Sequence, residues 1–378
     1  MQIKEVSARK IKDSRGEETI EVSVNGCKAS SPSGKSKGKY ETPSYFQSLD
    51  WNIQAIKKLF IKTEINSFSD LEKVEESIAY LCDFESAKQF GANALFALES
   101  AILKALAKSQ KKELWQIINE KAKKTPIPVG NAIGGGMHSL KFEEHPAFQE
   151  FLLIPKSRSA KENVKIMRNI YNKIGKSLKL KQKNDEGAWQ CTLNEEEILE
   201  VLSKFNEQTN LGIDVAASSF FKNNLYNYNE LSLGRIDQIK YINKLMERYN
   251  LVYVEDAIEE EDFEGFSNIN KEKLVVGDDL TATNISRLQR AITNKSINAI
   301  IIKPNQNGSL IELKKIFDIC KKNKIKTILS HRSGETMDSA LADYAFGFQA
   351  DYIKCGIATK WREVKLKRLI EIEKSLKK

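Results

Sequence analysis

Six apolar runs in the second half of the chain each end on a polar residue that can do chemistry. LGID closes on Asp214, LVYVED on Glu255, LVVGDD on Asp278, AIIIK on Lys303, TILSHRSG on His331 and DYIK on Lys354. Neighbouring endpoints lie about 23 to 41 residues apart, and a parallel strand with its crossover helix needs about 30. In a barrel of such units the active site sits where the strands end, so the repeat aims all six side chains at one place. Three carboxylates, two lysines and a histidine–arginine pair suit a metal-assisted reaction on an anion.

At 378 residues the chain is long enough for such a barrel and a companion. No apolar stretch approaches the roughly 20 residues a membrane-crossing helix needs, so no membrane partner is expected. The opening MQIKEVSARK lacks the apolar core of a secretory signal. Cys27, Cys82, Cys191, Cys320 and Cys355 are scattered, odd in number and form no CxxC pair. That pattern fits reduced thiols in a cytoplasm. The net charge of +9 comes mostly from lysine clusters such as Lys176–Lys183 and Lys321–Lys326. No aromatic residues interleave them as a base-stacking platform would need, so they read as a solvated surface and a nucleic-acid partner is not expected.

The fold class is α/β, a modified (β/α)8 TIM-type barrel preceded by an α+β capping domain, with residues 1–124 as the cap and 125–378 as the barrel. Alternation around Ile3–Ala8, Thr19–Val24 and Cys27–Ser30, with turns at Ser14–Gly16 and Asn25–Gly26, predicts an antiparallel meander. Ser69 to Glu72 reads as a capping box before a helix carrying Leu71, Val74, Ile78 and Leu81. Gly91 to Ala107 is apolar nearly all round and predicts a helix packed on both sides. The prolines of Lys123–Val129 mark a linker.

Each site candidate has a plainer reading. A carboxylate ending a strand can cap the next helix, but Asp214, Glu255 and Asp278 end three separate units. Facing one another without a cation they would repel, and a hard divalent ion with oxygen ligands, best Mg²⁺, resolves the conflict. Lys303 leaves the buried strand Ala299–Ile302 and could simply pair with an acid. Near a cation and other basic groups its pKa is expected to fall, leaving a neutral amine that takes a proton. Glu186 (in NDEG), Glu150 (in QEF) and His138 (after three glycines) are weak signals taken singly. His331, Arg332 and Ser333 together offer an imidazole, a forked guanidinium and a hydroxyl, a set suited to phosphate. The loop Pro32–Gly38 lacks P-loop spacing, so ATP binding is rejected.

These motifs resemble the enolase family. DSRG (Asp13–Gly16), SPSGKSKG (Ser31–Gly38), GANA, QEF, NDEG, DVAAS, VED, GDDLTATN, IKPNQNGS, SHRSGET and IKCG occur in enolase order, most tightly between Gly277 and Gly356. The resemblance implies a reversible, Mg²⁺-dependent dehydration of 2-phospho-D-glycerate to phosphoenolpyruvate by a homodimer. It implies a first Mg²⁺ on Asp214, Glu255 and Asp278, and a second that joins with substrate at Ser36. Lys303 matches the base at C2, and Glu186, supported by Glu150, matches the acid that helps the C3 hydroxyl leave. Arg332 and Ser333 match phosphate contacts, His138 and His331 pocket walls, and Lys354 a contact to the substrate carboxylate.

The chain departs from the family pattern at Gly134, Ala188, Trp189 and Ala257, and at Lys35 and Lys37 in the loop near Ser36. The C-terminal Arg-x-Glu-Arg reads Lys360-Trp-Arg-Glu363, with its charges rearranged. Two alternatives accompany the main reading: a paralogue acting on another carboxylate anion, and a basic scaffold of the same fold binding RNA or protein.

Overall fold

A computed structural model describes residues 1–35, 38–59, 61–139, 141–142, 144–229 and 231–376. The chain opens with the meander β1 (Val6–Lys12), β2 (Glu18–Val24) and β3 (Cys27–Ser30), paired antiparallel in that order. Asn25 and Gly26 both take positive φ, 49° and 77°, which gives the β2–β3 turn the right twist. Helices α1 (Leu49–Lys58), α2 (Leu71–Cys82), α3 (Ala92–Gln110) and α4 (Leu114–Asn119) follow. α3 lies against β2 and β3, and its residues 92–103 are buried on every face.

Two local expectations are corrected. The capping box before α2 is Ser67 with Asp70, not Ser69 with Glu72. Both fit the pattern, but Phe68 must be buried, and it packs edge-on against Phe348 with ring centroids 5.7 Å apart. That fixes the start of the turn at Ser67. The stretch Lys123–Val129 is a linker only as far as Pro126, because β4 begins at Ile127 and includes Pro128.

The second part is a closed eight-stranded barrel. Its strands are β4 (Ile127–Gly134), β5 (Glu150–Pro155), β6 (Thr209–Asp214), β10 (Tyr253–Glu255), β11 (Leu274–Gly277), β12 (Ala299–Ile302), β13 (Lys326–Ser330) and β14 (Tyr352–Lys354). All six sequence runs are strands of this barrel. Between β6 and β10 the chain inserts a small sheet, β7 (Phe221–Lys222), β8 (Leu225–Asn227) and β9 (Ser232–Leu233). This accounts for the long spacing from Asp214 to Glu255.

Strict alternation of strand and helix fails at one place. β5 runs antiparallel to both β4 and β6. Among the described residues, only a 3-10 turn, Gly136–Ser139, separates β4 from β5, and a parallel return would need a crossover helix. The consequence is functional. With β5 reversed, its first residue lies at the barrel end where the other strands finish, and Glu150 pairs in register with Asp214. Below that end Val129, Leu152, Ile154, Tyr253, Val276, Ala299, Ile301 and Ile328 fill the barrel interior. Each of the valine, leucine and isoleucine side chains among them contributes about 1.5–3 kcal/mol by burial, so the site rests on a rigid floor.

Candidate active site

Strand register assembles the acids. Asp214 on β6 is level with Glu150 on one side and with Glu255 on the other, while Lys354 ends β14 beside Ser330. The Lys354 ammonium stands among them, 3.0 Å from Asp214 Oδ2, 2.8 Å from Glu255 Oε2 and 3.1 Å from Glu150 Oε2. Burial works against its charge, but these three carboxylates hold its pKa well above the ordinary lysine value. Glu255 is pushed well above the usual carboxylate range by burial and by Asp214. Tyr253, two residues earlier on the same strand face, donates its hydroxyl to Glu255 Oε2 at 2.5 Å.

Lys303 begins the turn after β12 and pairs with Asp278 Oδ2. Its pKa does not fall as the sequence suggested. Burial lowers it, but the Asp278 charge more than offsets that and raises it. The sequence argument placed a cation beside Lys303, whereas here an unshared carboxylate is its neighbour. Asp278 in turn is pushed up by burial and drawn below its usual value by Lys303 and Lys354.

On the opposite wall Glu186, buried in the loop 184–188, faces two histidines. His138 Nε2 lies 3.9 Å from Glu186 Oε1 and His331 Nε2 lies 3.9 Å from Glu186 Oε2. Burial pulls His138 down, yet Glu186 and Asp185, the latter 2.8 Å from His138 Nδ1, lift it to about 9. Burial pushes Glu186 up, but His138, His331 and Arg362 hold it well below the carboxylate range. Glu150 is raised to about 8 by burial and by its neighbours Glu186 and Asp214. One acid of this adjacent pair is therefore charged and the other protonated, the division that acid–base work uses.

Arg332 is buried, and its guanidinium grips Glu41 with two bonds of 3.0 and 3.1 Å. Ser333 Oγ accepts from Arg15 Nη1 at 2.9 Å and from the Lys35 backbone N–H at 2.8 Å. Lys303, Glu186, His138, Arg332, Ser333 and Lys354 all line one cavity of about 340 Å³, with Glu150, Asp214, Asp278 and His331. Glu255 lies beneath its wall. Ser36 lies outside the described residues.

The acids suit a divalent cation chemically, though they are not drawn into one ring. Among the described residues, the trios whose possible ligand atoms lie within 4.8 Å of one another are one imidazole with two carboxylates, His138–Glu150–Glu186, and three carboxylates, Asp256–Asp278–Asp279. Asp214 and Glu255 share Lys354, while Asp278 is held by Lys303, because like charges separate and each ammonium takes its own partners. Buried carboxylates nonetheless outnumber the ammonium groups. Asp278 Oδ1 is buried without a hydrogen-bond partner among the described residues, an acceptor that a cation with oxygen ligands would satisfy.

Several neighbours escaped the sequence reading. Glu41 comes from a distant loop and carried no local signal, whereas Arg15 and Asp185 stand inside the DSRG and NDEG motifs without being singled out. Tyr253 could have been found, since the period of two along a strand puts it on the face of Glu255.

The fold agrees with comparison to known proteins. The model of the enolase N-terminal domain matches residues 3–118, and that of the enolase C-terminal TIM barrel domain matches residues 122–378. Among curated relatives, the enolase of Archaeoglobus fulgidus is 34% identical over 402 aligned residues, covering 100% of this chain and 98% of its own. That of Methanocorpusculum labreanum is 34% identical, covering 98% and 99%, and that of Methanosphaera stadtmanae 35%, covering 99% and 97%. Matched from end to end by both domains and by relatives of nearly its own length, the chain belongs to the enolase family, a family of lyases.

Proposed function

We propose that this protein reversibly dehydrates 2-phospho-D-glycerate to phosphoenolpyruvate with Mg²⁺. The observation that carries the reading is that an amine, Lys303, and the carboxyl pair Glu186 and Glu150, of which Glu150 keeps a proton, line one cavity with the buried guanidinium of Arg332. Loss of a proton from one carbon and of hydroxide from the next needs a base and an acid on opposite sides of a small anion.

Asp214, Glu255 and Asp278 would hold the first Mg²⁺, and Ser36 would join a second. Bound Mg²⁺ supplies positive charge to offset the doubly ionised carboxylate formed when C2 loses its proton. The magnitudes require it. A unit charge pair at about 4 Å and effective dielectric near 20 is worth roughly 4 kcal/mol, whereas enzymes supply roughly 8–23 kcal/mol. Lys303 alone falls short.

The protein's own groups do the rest. Lys303 Nζ takes the C2 proton, which requires it neutral, so Asp278 must be engaged elsewhere when the reaction runs. A proton reaches the departing C3 hydroxyl from the Glu186 side, where Glu150 carries one. Arg332 and Ser333 orient the phosphate, and Lys354 faces the substrate carboxylate. The reading extends to a homodimer in the cytoplasm, and sedimentation equilibrium tests the dimer.

The assay follows ultraviolet absorbance of the enol phosphate with purified protein, saturating Mg²⁺ and 2-phospho-D-glycerate. Activity should disappear with chelator, and Lys303→Ala should lower kcat by roughly 10²–10⁴-fold or more. Wild-type protein that is inert under these conditions defeats the reading.

A further inference from the structure

Arg362 is a fully buried charged side chain beside the cavity, yet it does not line it. It sits in the first turn of the terminal helix, Lys360–Ser375, with 0% exposure. Its Nε donates to His331 Nδ1 at 3.0 Å, and its Nη2 donates to the carbonyls of Arg332 and Ser333 at 3.4 and 3.2 Å. Space is reserved for it. A Cβ at Gly356, where φ is +73°, would stand 2.6 Å from Arg362 Cδ.

The polarity of the Arg362–His331 bond is forced. A guanidinium has five N–H donors, no acceptor, and does not lose its proton in proteins. His331 Nδ1 must therefore be the acceptor and carry no hydrogen, and a neutral imidazole so held bears its proton on Nε2. That nitrogen is the one facing Glu186 Oε2.

We propose that Arg362 is a positioning residue that locks His331 as the neutral Nε2–H tautomer, so that His331 offers the cavity a hydrogen-bond donor and never a base. Nε2 is already protonated and Nδ1 is covered, so proton transfer on this wall falls to the Glu186–Glu150 pair. Glu186 from its loop and Arg362 from the terminal helix face His331, and the charges of Lys354 from β14 and Lys303 after β12 also act on it. Three of these four are cations that disfavour a second proton on the ring. The catalytic consequence rests on the function proposed above, whereas the tautomer does not.

The chain has three histidines, so long-range ¹H–¹⁵N spectra of the full-length protein resolve each ring, with His145→Gln and His138→Gln aiding assignment. Expected is a His331 ring with hydrogen on Nε2 alone, unchanged through the range where a free imidazole titrates, about pH 5.5–7.5. Arg362→Met should bring Nδ1–H or a titrating ring, lower kcat by roughly 10–100-fold, the equivalent of one lost bond to a charged group, and alter the pH profile more than KM. Arg362→Lys, which restores a donor, should recover part of each. A wild-type His331 ring that carries hydrogen on Nδ1 or titrates in this range overturns the proposal, even if no variant folds. So does an Arg362→Met protein with wild-type tautomer and pH profile. Inactive wild-type protein with the expected spectrum would defeat the function proposed above and leave the tautomer standing.

Discussion

Tyr253 is a bulky ring in a barrel interior otherwise filled by aliphatic side chains, and its hydroxyl ends on an acid assigned above to the cation. A ligand carboxylate held by a neighbouring donor is oriented before the ion arrives, and loss of such a donor typically costs 10–100-fold in metal affinity. Tyr253→Phe should therefore weaken Mg²⁺ binding by roughly that factor, measured by calorimetry without substrate. An unchanged Kd would mean that the hydroxyl only answers the buried oxygen of Glu255. The residues legible in the sequence share one property: Asp214, Glu255, Asp278, Lys303, His331 and Lys354 end apolar strands, so local pattern alone gave their common destination. Arg362 and Glu41 do not. Arg362 is one charge in a lysine-rich helix and Glu41 one in a loop, and each finds its partner only through the closed fold. The direction of the Lys303 pKa was missed for a related reason, because it depends on which charge stands next to the amine.

Among the elements, α3 shows how the cap holds one of its own loops in place. Gly91 precedes it with φ 98°, and a Cβ there would lie 2.5 Å from Tyr45 Cα and 2.8 Å from the Ser44 carbonyl oxygen. The next two N–H groups, of Ala92 and Asn93, donate to the carbonyls of Pro43 and Ser44, so the loop cannot retreat without losing both bonds. Gly91→Ala combines a conformation that costs about 1–3 kcal/mol for a residue with Cβ with a backbone clash. Chemical denaturation should show a midpoint lowered by about 2 kcal/mol or more of stability with unchanged slope. The helix itself was legible, because seventeen nearly all-apolar residues admit little else. The reversal of β5 was not, since QEFLLIP is an apolar strand in either direction. Its direction goes with a connection, 135–149, whose Gly135, Gly136 and Pro146 disfavour the crossover helix a parallel return would need.

At the scale of the whole molecule, cap and barrel meet through groups that titrate. Glu99 of α3 is fully buried, and its Oε2 accepts from the backbone N–H of Leu310, the first residue of the helix Leu310–Lys322, at 2.7 Å. Glu75 of α2 accepts from Ser309 Oγ beside it at 2.5 Å. Glu99 Oε1 has no hydrogen-bond partner among the described residues. Burial, then the nearby Glu75 charge, pushes Glu99 well above the carboxylate range, so the folded protein keeps a proton that the unfolded chain releases. Stability then depends on pH in a definite sense. The contribution is whole below the unfolded pKa of about 4.3 and is lost as pH rises from there through the raised folded value. Glutamine matches the protonated acid in shape and still offers Leu310 an acceptor, but it cannot ionise. Glu99→Gln should therefore leave stability near pH 4 almost unchanged and exceed the wild type increasingly as pH rises. Unfolding curves collected from acid to neutral pH check this. Parallel pH dependences for the two proteins would mean that Glu99 is already ionised in the fold, and that the seam between cap and barrel is held by charge rather than by a retained proton.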